Sequence, residues 1–283
     1  MSQTTTQPDR GTSQDFGRTQ LLIRLRASQD CAFERQYHRK IRGRLAQCLD
    51  GTNYDERDSD ASPFAFSDPM PYQSTYDAGD EVHLLVSSRR VGALKSIVAG
   101  LSNDPRLTAG SMVFDVRAAT PVPLDVGPPG ESGTITTSSG ALVTIDTGEE
   151  GEYDSGTYWS NRNHSEPDFQ RSLDQSVARQ CRYEHGLEPL PDDERLFDEH
   201  HHRKTFAVDV EVTPKNHLTV IASKFDFGFE VRDEHHRRVL NATIAAGIGS
   251  KRSYGFGCLQ VECQSHDPTG DVDRTPPEVR ADG

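Results

Sequence analysis

The chain has 283 residues, a hydrophobic content of 33% and a formal net charge of -13. This length allows two small domains or one large one, and the recurring periodic apolar segments favour a sparse core over a disordered chain. No apolar run reaches transmembrane length. Five cysteines without a CxxC pair, and no signal peptide, predict a reduced cytoplasmic protein.

The charged residues of the chain carry two separate signals, one in their overall composition and one in their distribution along the sequence. Asp outnumbers Glu 27 to 17, and Arg outnumbers Lys 25 to 6. Such an Asp-rich, Lys-poor composition is typical of halophilic proteins, so the acid excess reports on the solvent. Residues 18–49 nevertheless carry eight cations against two anions, whereas residues 146–200 carry fifteen acids against five arginines. The cationic segment indicates a polyanionic partner, with an arginine-rich solvated helix as the alternative.

The first half of the chain follows a βαββαβ order. Residues 1–17 are polar and lack periodicity, so we expect a disordered tail. Residues 18–120 then alternate between segments of period 2 and segments of helical spacing, which predicts a ferredoxin-like domain. The predicted elements are strand Thr19–Ala27, helix Phe33–Leu49, strands Phe64–Met70 and Val82–Ser88, helix Val91–Leu101 and strand Ser111–Ala119.

The second half repeats this order after a linker rich in Pro and Gly, residues 121–133. Residues 134–263 predict a second ferredoxin-like domain, and residues 264–283 a disordered tail. The expected fold class is therefore α+β, with two tandem ferredoxin-like domains and antiparallel sheets. The predicted elements are a hairpin or long strand Thr134–Asp146, helix Pro167–His185, strands Thr205–Val212 and His217–Val231, helix Glu234–Ala246 and strand Phe256–Glu262.

The most specific motif is the glycine-rich segment 247–257, which reads GIGSKRSYGFG. Two Gly-hydrophobic-Gly units bracket five residues that include two adjacent cations. Because glycine allows positive φ and close approach to a ligand, the pattern predicts a loop that binds phosphate through backbone N–H groups and the cations. A helix precedes the glycines and a strand follows, unlike a dinucleotide fingerprint, and a P-loop's Gly-Lys-Ser/Thr ending is absent. An ordinary glycine-rich turn is the alternative.

This segment resembles the C-terminal loop of the CRISPR-associated RAMP proteins, in particular the repeat-processing endoribonucleases of the Cas-six family. Their pattern is Gly-h-Gly-x5-Gly-h-Gly, where h is hydrophobic and one x at least is Lys or Arg, and every position matches. Two tandem ferredoxin-like domains also match that family. The resemblance implies cleavage of CRISPR repeat RNA (pre-crRNA) to crRNA by 2′-hydroxyl attack, leaving a 2′,3′-cyclic phosphate and a 5′-hydroxyl, with no metal and no cofactor.

The resemblance also implies a catalytic histidine on or near the first helix, where this chain has only His38. On a helix, Arg35 and Arg42 would share the face of His38. Tyr37 and Ile41 would turn toward the sheet. We therefore expect His38 to be exposed on a cationic face and to act as acid or base, with a surface histidine without a role as the alternative.

The second proton carrier is less well defined. Some relatives have a lysine shortly after the histidine, where this chain has Arg44, and arginine cannot donate a proton at neutral pH. Candidate catalytic helpers are Arg44, Ser111, Ser223 and Tyr254, each with a structural role as the alternative. Predicted RNA-binding residues are Arg35, Arg39, Arg42, Lys224, Gly247, Gly249, Lys251, Arg252, Gly255 and Gly257.

The expected partner is CRISPR repeat RNA or crRNA, and the resemblance allows other Cas subunits of a Cascade-like complex; no membrane partner is expected. The main alternative is a non-catalytic RAMP subunit that binds crRNA in an interference complex and has no need of His38. His200, His201 and His202 follow two acidic residues and could in principle bind a transition metal. Because adjacent residues rarely converge on one metal ion, we predict a solvated loop there instead.

Overall fold

The computed structural model describes residues 19–54, 63–145, 157–213 and 216–263. Both predicted tails lie outside the described residues. The strands are β1 Thr19–Ala27, β2 Cys31–Ala32, β3 Ala65–Phe66, β4 Thr75–Tyr76, β5 Glu81–Ser87, β6 Arg106–Ala109, β7 Met112–Pro123, β8 Ser132–Thr137, β9 Thr144–Ile145, β10 Thr157–Tyr158, β11 Glu199–Thr213, β12 Asn216–Glu230 and β13 Leu259–Cys263. The helices are α1 Tyr37–Gln47, α2 Val91–Asn103, α3 Glu166–Gln180 and α4 Glu234–Ala246, with a π-helical turn at Cys181–His185 and a 3-10 turn at Arg252–Tyr254.

The N-terminal sheet is antiparallel, in the order β3-β5-β1-β7-β6. Its central strand β1 alternates as its sequence predicts: Leu21, Ile23 and Leu25 are buried, whereas Arg24 and Arg26 are exposed. Four of the strands give the ferredoxin-like order, second-third-first-fourth, and β6 is an added edge strand that the sequence did not predict. The predicted βαββαβ unit is therefore confirmed.

The C-terminal sheet repeats the same order as β11-β12-β8-β13. Helix α3 begins at a capping box in which Ser165 and Asp168 satisfy each other's backbone N–H groups, an arrangement that fixes a helix start. Helix α4 runs from Glu234 to Ala246, as predicted. The chain therefore contains two tandem ferredoxin-like units, and the proposed domain boundaries at 120 and 134 remain predictions.

Several predicted element boundaries were wrong because of pairing with distant segments. Helix α1 begins at Tyr37 instead of Phe33, since the preceding residues pair with β4 and the Phe33 N–H donates to Ser74 O at 2.9 Å. The predicted strand 64–70 is reduced to two residues. Strand β11 begins at Glu199, so residues 200–202 lie in a strand and not in a loop.

The two units meet across an interface that includes apolar contacts. Ala65 and Leu85 of the first unit cluster with Cys258 of the second. Beside them the Gln20 side chain donates to Leu259 O at 2.8 Å. This junction positions the candidate site, because the end of the glycine-rich segment lies against β3 and α1. None of the described helices is long and apolar enough to cross a membrane.

Candidate active site at the domain junction

His38 lies in the first turn of α1 and is only 5% exposed. Its ring stacks on Tyr37 at a centroid distance of 4.1 Å and on Phe256 at 4.8 Å. The prediction that His38 is exposed was therefore wrong. The first unit alone would leave this face of α1 open, but the glycine-rich segment of the second unit packs against it and covers the imidazole. His38 is thus part of the junction between the units.

The tautomer of His38 follows from its one hydrogen-bond partner. Nδ1 lies 2.8 Å from Tyr254 O, and because a carbonyl oxygen only accepts, Nδ1 carries the hydrogen in the neutral imidazole. Within the described residues, Nε2 has no hydrogen-bond partner. Burial lowers the pKa of His38, and the Asp68 carboxylate and the Tyr254 carbonyl oppose this lowering. The neutral form, with a lone pair on Nε2, is therefore favoured at neutral pH.

Asp68 joins the two units beside this imidazole. It accepts a hydrogen bond from the Tyr37 hydroxyl at 2.5 Å and an ion-paired hydrogen bond from Lys224 Nζ at 2.8 Å. Burial first, and then the Asp68 charge, raise the pKa of Tyr37 well above its ordinary value, so the phenol remains protonated. The sequence analysis did not select Asp68, since a single Asp after a two-residue strand gives no local signal.

The glycines of the 247–257 segment allow close packing within the protein itself. Gly255 has φ of 83°, and a Cβ there would lie 2.4 Å from the Phe66 ring and 3.0 Å from His38 Nδ1. Gly257 has φ of 66°, and a Cβ there would lie 1.8 Å from Ile248 O. Both positions therefore require glycine on two grounds, backbone conformation and space. These two glycines therefore allow the segment to pack closely against His38 and against its own backbone.

Several N–H groups of this segment are used within the protein. Ile248 N donates to Gly257 O, and Gly257 N donates to Gly140 O, each at 2.9 Å. Ser250 N donates to Leu142 O at 2.9 Å. The expectation that the backbone N–H groups act as a phosphate cradle was therefore wrong for these donors, and Gly247 and Gly249 serve the same tight turn with φ of 78° and 74°.

The two adjacent cations of the segment have different environments. Arg252 is 8% exposed, its guanidinium lies 2.6 Å from Glu184 Oε1, and it also donates to Ala246 O at the end of α4. A cation at a helix C-terminus also complements the helix dipole. Lys251 is half-buried in the left-handed conformation, with φ of 54°. The buried Arg252 ties the segment to the helical layer, so Lys251 is the better placed of the two to meet a phosphate.

The arginines in and just before α1 have different environments. The Arg42 guanidinium lies over the Tyr254 ring, 4.2 Å from its centroid, so it borders the His38 site. Arg35 is exposed and Arg39 is half-buried. Arg44, in contrast, donates to Gly100 O and Asp104 O at the end of α2, where it binds helix carbonyls. These hydrogen bonds give Arg44 a structural role at the end of α2, and its role as a catalytic helper stays a prediction.

The hydroxyl groups of the two candidate serines form hydrogen bonds with other parts of the fold. Ser111 is exposed in the β6–β7 turn and donates to Ala32 O at 3.2 Å. Ser223 is buried on β12, and its hydroxyl lies 2.7 Å from Thr205 Oγ1. Within the described ranges neither hydroxyl contacts His38. Tyr254 contributes its carbonyl to the site. Among the same residues, no group of three or more His, Cys, Asp or Glu side chains is placed to hold a metal ion.

Two ferredoxin-like units in tandem, with a glycine-rich segment of the second unit packed against the first, define this chain as an α+β protein with a duplicated ferredoxin-like fold. A family model described as "CRISPR associated protein Cas6, C-terminal" matches residues 127–261. A CRISPR-associated endoribonuclease Cas6 of Haloferax mediterranei is 33% identical over 247 residues, which cover 84% of this chain and 91% of that relative. The chain therefore belongs to the Cas6 family of CRISPR-associated endoribonucleases.

Solved structures agree on the fold. One described as "CRISPR associated protein Cas6" superposes with a TM-score of 0.63 at 16% identity and covers 86% of this chain and 98% of that one. A Cas6-related protein from Pyrococcus furiosus gives a TM-score of 0.62 at 18% identity, over 87% and 99% of the two chains. A third, described as a RAMP protein binding different RNA substrates, gives 0.62 at 17%, over 86% and 99%.

Proposed function

We propose that this protein cleaves CRISPR repeat RNA at one site without a metal ion, by attack of a ribose 2′-hydroxyl on the adjacent phosphate. The carrying observation is the geometry of His38: Nδ1 is held by Tyr254 O, and the ring is fixed between Tyr37 and Phe256. A neutral imidazole oriented in this way presents Nε2 as the proton acceptor that such a reaction requires.

In this reaction the 2′-oxygen forms a bond to phosphorus while the bond to the 5′-oxygen breaks. The proton of the 2′-hydroxyl passes to His38 Nε2, and the products are a 2′,3′-cyclic phosphate and a 5′-hydroxyl. The leaving 5′-oxygen needs a proton, which we assign to the Lys224 ammonium, since Lys224 belongs to the same cluster through Asp68. Arg42 and Lys251 would supply positive charge to the phosphorane, the usual role of cations at such a centre.

Membership of the Cas6 family supports CRISPR repeat RNA as the substrate of this protein. We also propose that the cleaved crRNA can enter a Cascade-like complex with other Cas subunits. We also place the protein in the cytoplasm, as expected for free thiols. Among the cysteines whose side chains the structure describes, Cys31, Cys48, Cys181 and Cys258 are free thiols.

The test is cleavage of a host CRISPR repeat RNA by purified protein in molar KCl with EDTA, comparing wild type with His38→Ala. We expect a rate loss of about 10²–10⁴-fold for a proton-transfer residue, with RNA binding retained. His201→Ala, which removes an exposed histidine on β11, is the matched control and should cut normally. A 2′-deoxy substitution at the attacking ribose should abolish cutting.

Three outcomes would contradict the proposal in different ways. Binding without cutting by wild type would favour the non-catalytic subunit. Equal cutting by His38→Ala would remove His38 from the mechanism. Cutting of the 2′-deoxy substrate would exclude attack by the 2′-hydroxyl.

A further inference from the structure

A row of aromatic rings leads from His38 to the protein surface. The Tyr37 ring stacks on His38, and Phe33 packs edge-on against Tyr37 at a centroid distance of 5.4 Å. Phe33 in turn packs edge-on against Tyr72 at 4.7 Å. The outermost ring, Tyr72, is 70% exposed. The reaction centre and an open aromatic ring are thus connected through three contacts.

Tyr72 is exposed on a segment that is held on both sides. Upstream, Asp68 is bound by Tyr37 and Lys224. Downstream, Ser74 O accepts from the Phe33 N–H. Within the described residues, Tyr72 has no stacked ring partner of its own. A large apolar ring held at the surface of a rigid segment can accept a flat ligand at little further cost in conformational entropy.

The charge of the segment that contains Phe33 favours nucleic acid as the ligand. Arg35 is exposed two residues from Phe33, and the whole segment 18–49 has an excess of six cations in a chain whose net charge is -13. The neighbouring Glu34 is paired with Lys40 at 3.0 Å, so its negative charge is locally balanced. Exposed aromatic rings and cationic side chains together bind single-stranded nucleic acid, because bases stack on the rings and phosphates pair with the cations.

We infer that Tyr72, supported by Phe33, is a stacking subsite for an unpaired RNA base close to the scissile phosphate. This inference rests on the proposed function and adds the place where a flanking nucleotide is held. Stacking on an aromatic ring contributes about 1–3 kcal/mol per base and releases no counterions. It therefore retains its strength at molar salt, where phosphate contacts lose affinity.

The experiment measures the affinity for a repeat RNA that carries the 2′-deoxy block, in molar KCl, for wild type, Tyr72→Ala and Tyr72→Phe. The matched control is Tyr183→Ala, which removes another exposed tyrosine, 82% exposed and remote in sequence. We expect Tyr72→Ala to weaken binding about 5- to 150-fold, the equivalent of one stacked base. Tyr72→Phe should bind like wild type, and Tyr183→Ala should be unchanged.

A second arm identifies the base. Abasic nucleotides are placed one at a time on either side of the cleavage site, and the penalty of Tyr72→Ala is measured again. At one position the penalty should disappear, because the stacking partner is already absent. Wild-type affinity for Tyr72→Ala, an equal loss for Tyr183→Ala, or a penalty that persists on every abasic RNA would overturn the inference while leaving the proposed function intact. Failure of wild type to bind repeat RNA would remove both.

Discussion

The buried ion pair between Arg252 and Glu184 gives the most direct test of how the glycine-rich segment is held. The two charged atoms are 2.6 Å apart, and the side chains are 9% and 18% exposed. Arg252→Met keeps the aliphatic stem and removes the charge, which leaves the Glu184 carboxylate without its ion-pair partner. Removing one partner of a buried pair costs about 3–5 kcal/mol. We therefore expect the free energy of unfolding to fall by about that amount.

The assay is urea unfolding in molar KCl of wild type, Arg252→Met, Glu184→Gln and the double variant. Because the pair is buried, high salt should screen it little, and the double variant should lose less than the sum of the single losses. Lys251→Met is the control: it should unfold within about 0.5 kcal/mol of wild type but bind repeat RNA less tightly. If Arg252→Met unfolds like wild type and loses only RNA affinity, Arg252 is an RNA ligand and the structural assignment is wrong.

Two further predictions concern pH. Asp68→Asn removes the charge that opposes the lowering of the pKa of His38, so the acidic limb of the pH–rate profile should move to lower pH; an unmoved limb would show that His38 is not the titrating base. Burial and the nearby Arg89 lower the pKa of His185 to about 4. The folded state then binds fewer protons than the unfolded state, so stability should fall as pH drops from about 6.5 to about 4, by up to about 3 kcal/mol. Urea titrations at both ends of this pH range should show the loss of stability in wild type but not in His185→Leu. An equal loss of stability in the variant would show that His185 is not its cause.

Much of the fold follows from local pattern. Strand β1 and helix α4 have the predicted limits, Thr19–Ala27 and Glu234–Ala246, because alternation and helical spacing mark their buried faces. The repeated order of elements was sufficient to predict both ferredoxin-like units. The short edge strands escaped prediction, since two-residue strands such as Ala65–Phe66 form through their partners and have no pattern of their own.

The sequence by itself determined the family, because the eleven residues 247–257 have fixed spacing and glycine positions that a local pattern can reveal. It also marked His38 as the histidine of the first helix. Only the tertiary structure decided that Phe256 covers His38, that Arg252 is buried on Glu184, and that Asp68 links the two units. Each of these contacts joins residues far apart in the chain. The free energy of such contacts depends on which surfaces the folded units bring together, and no local spacing encodes that.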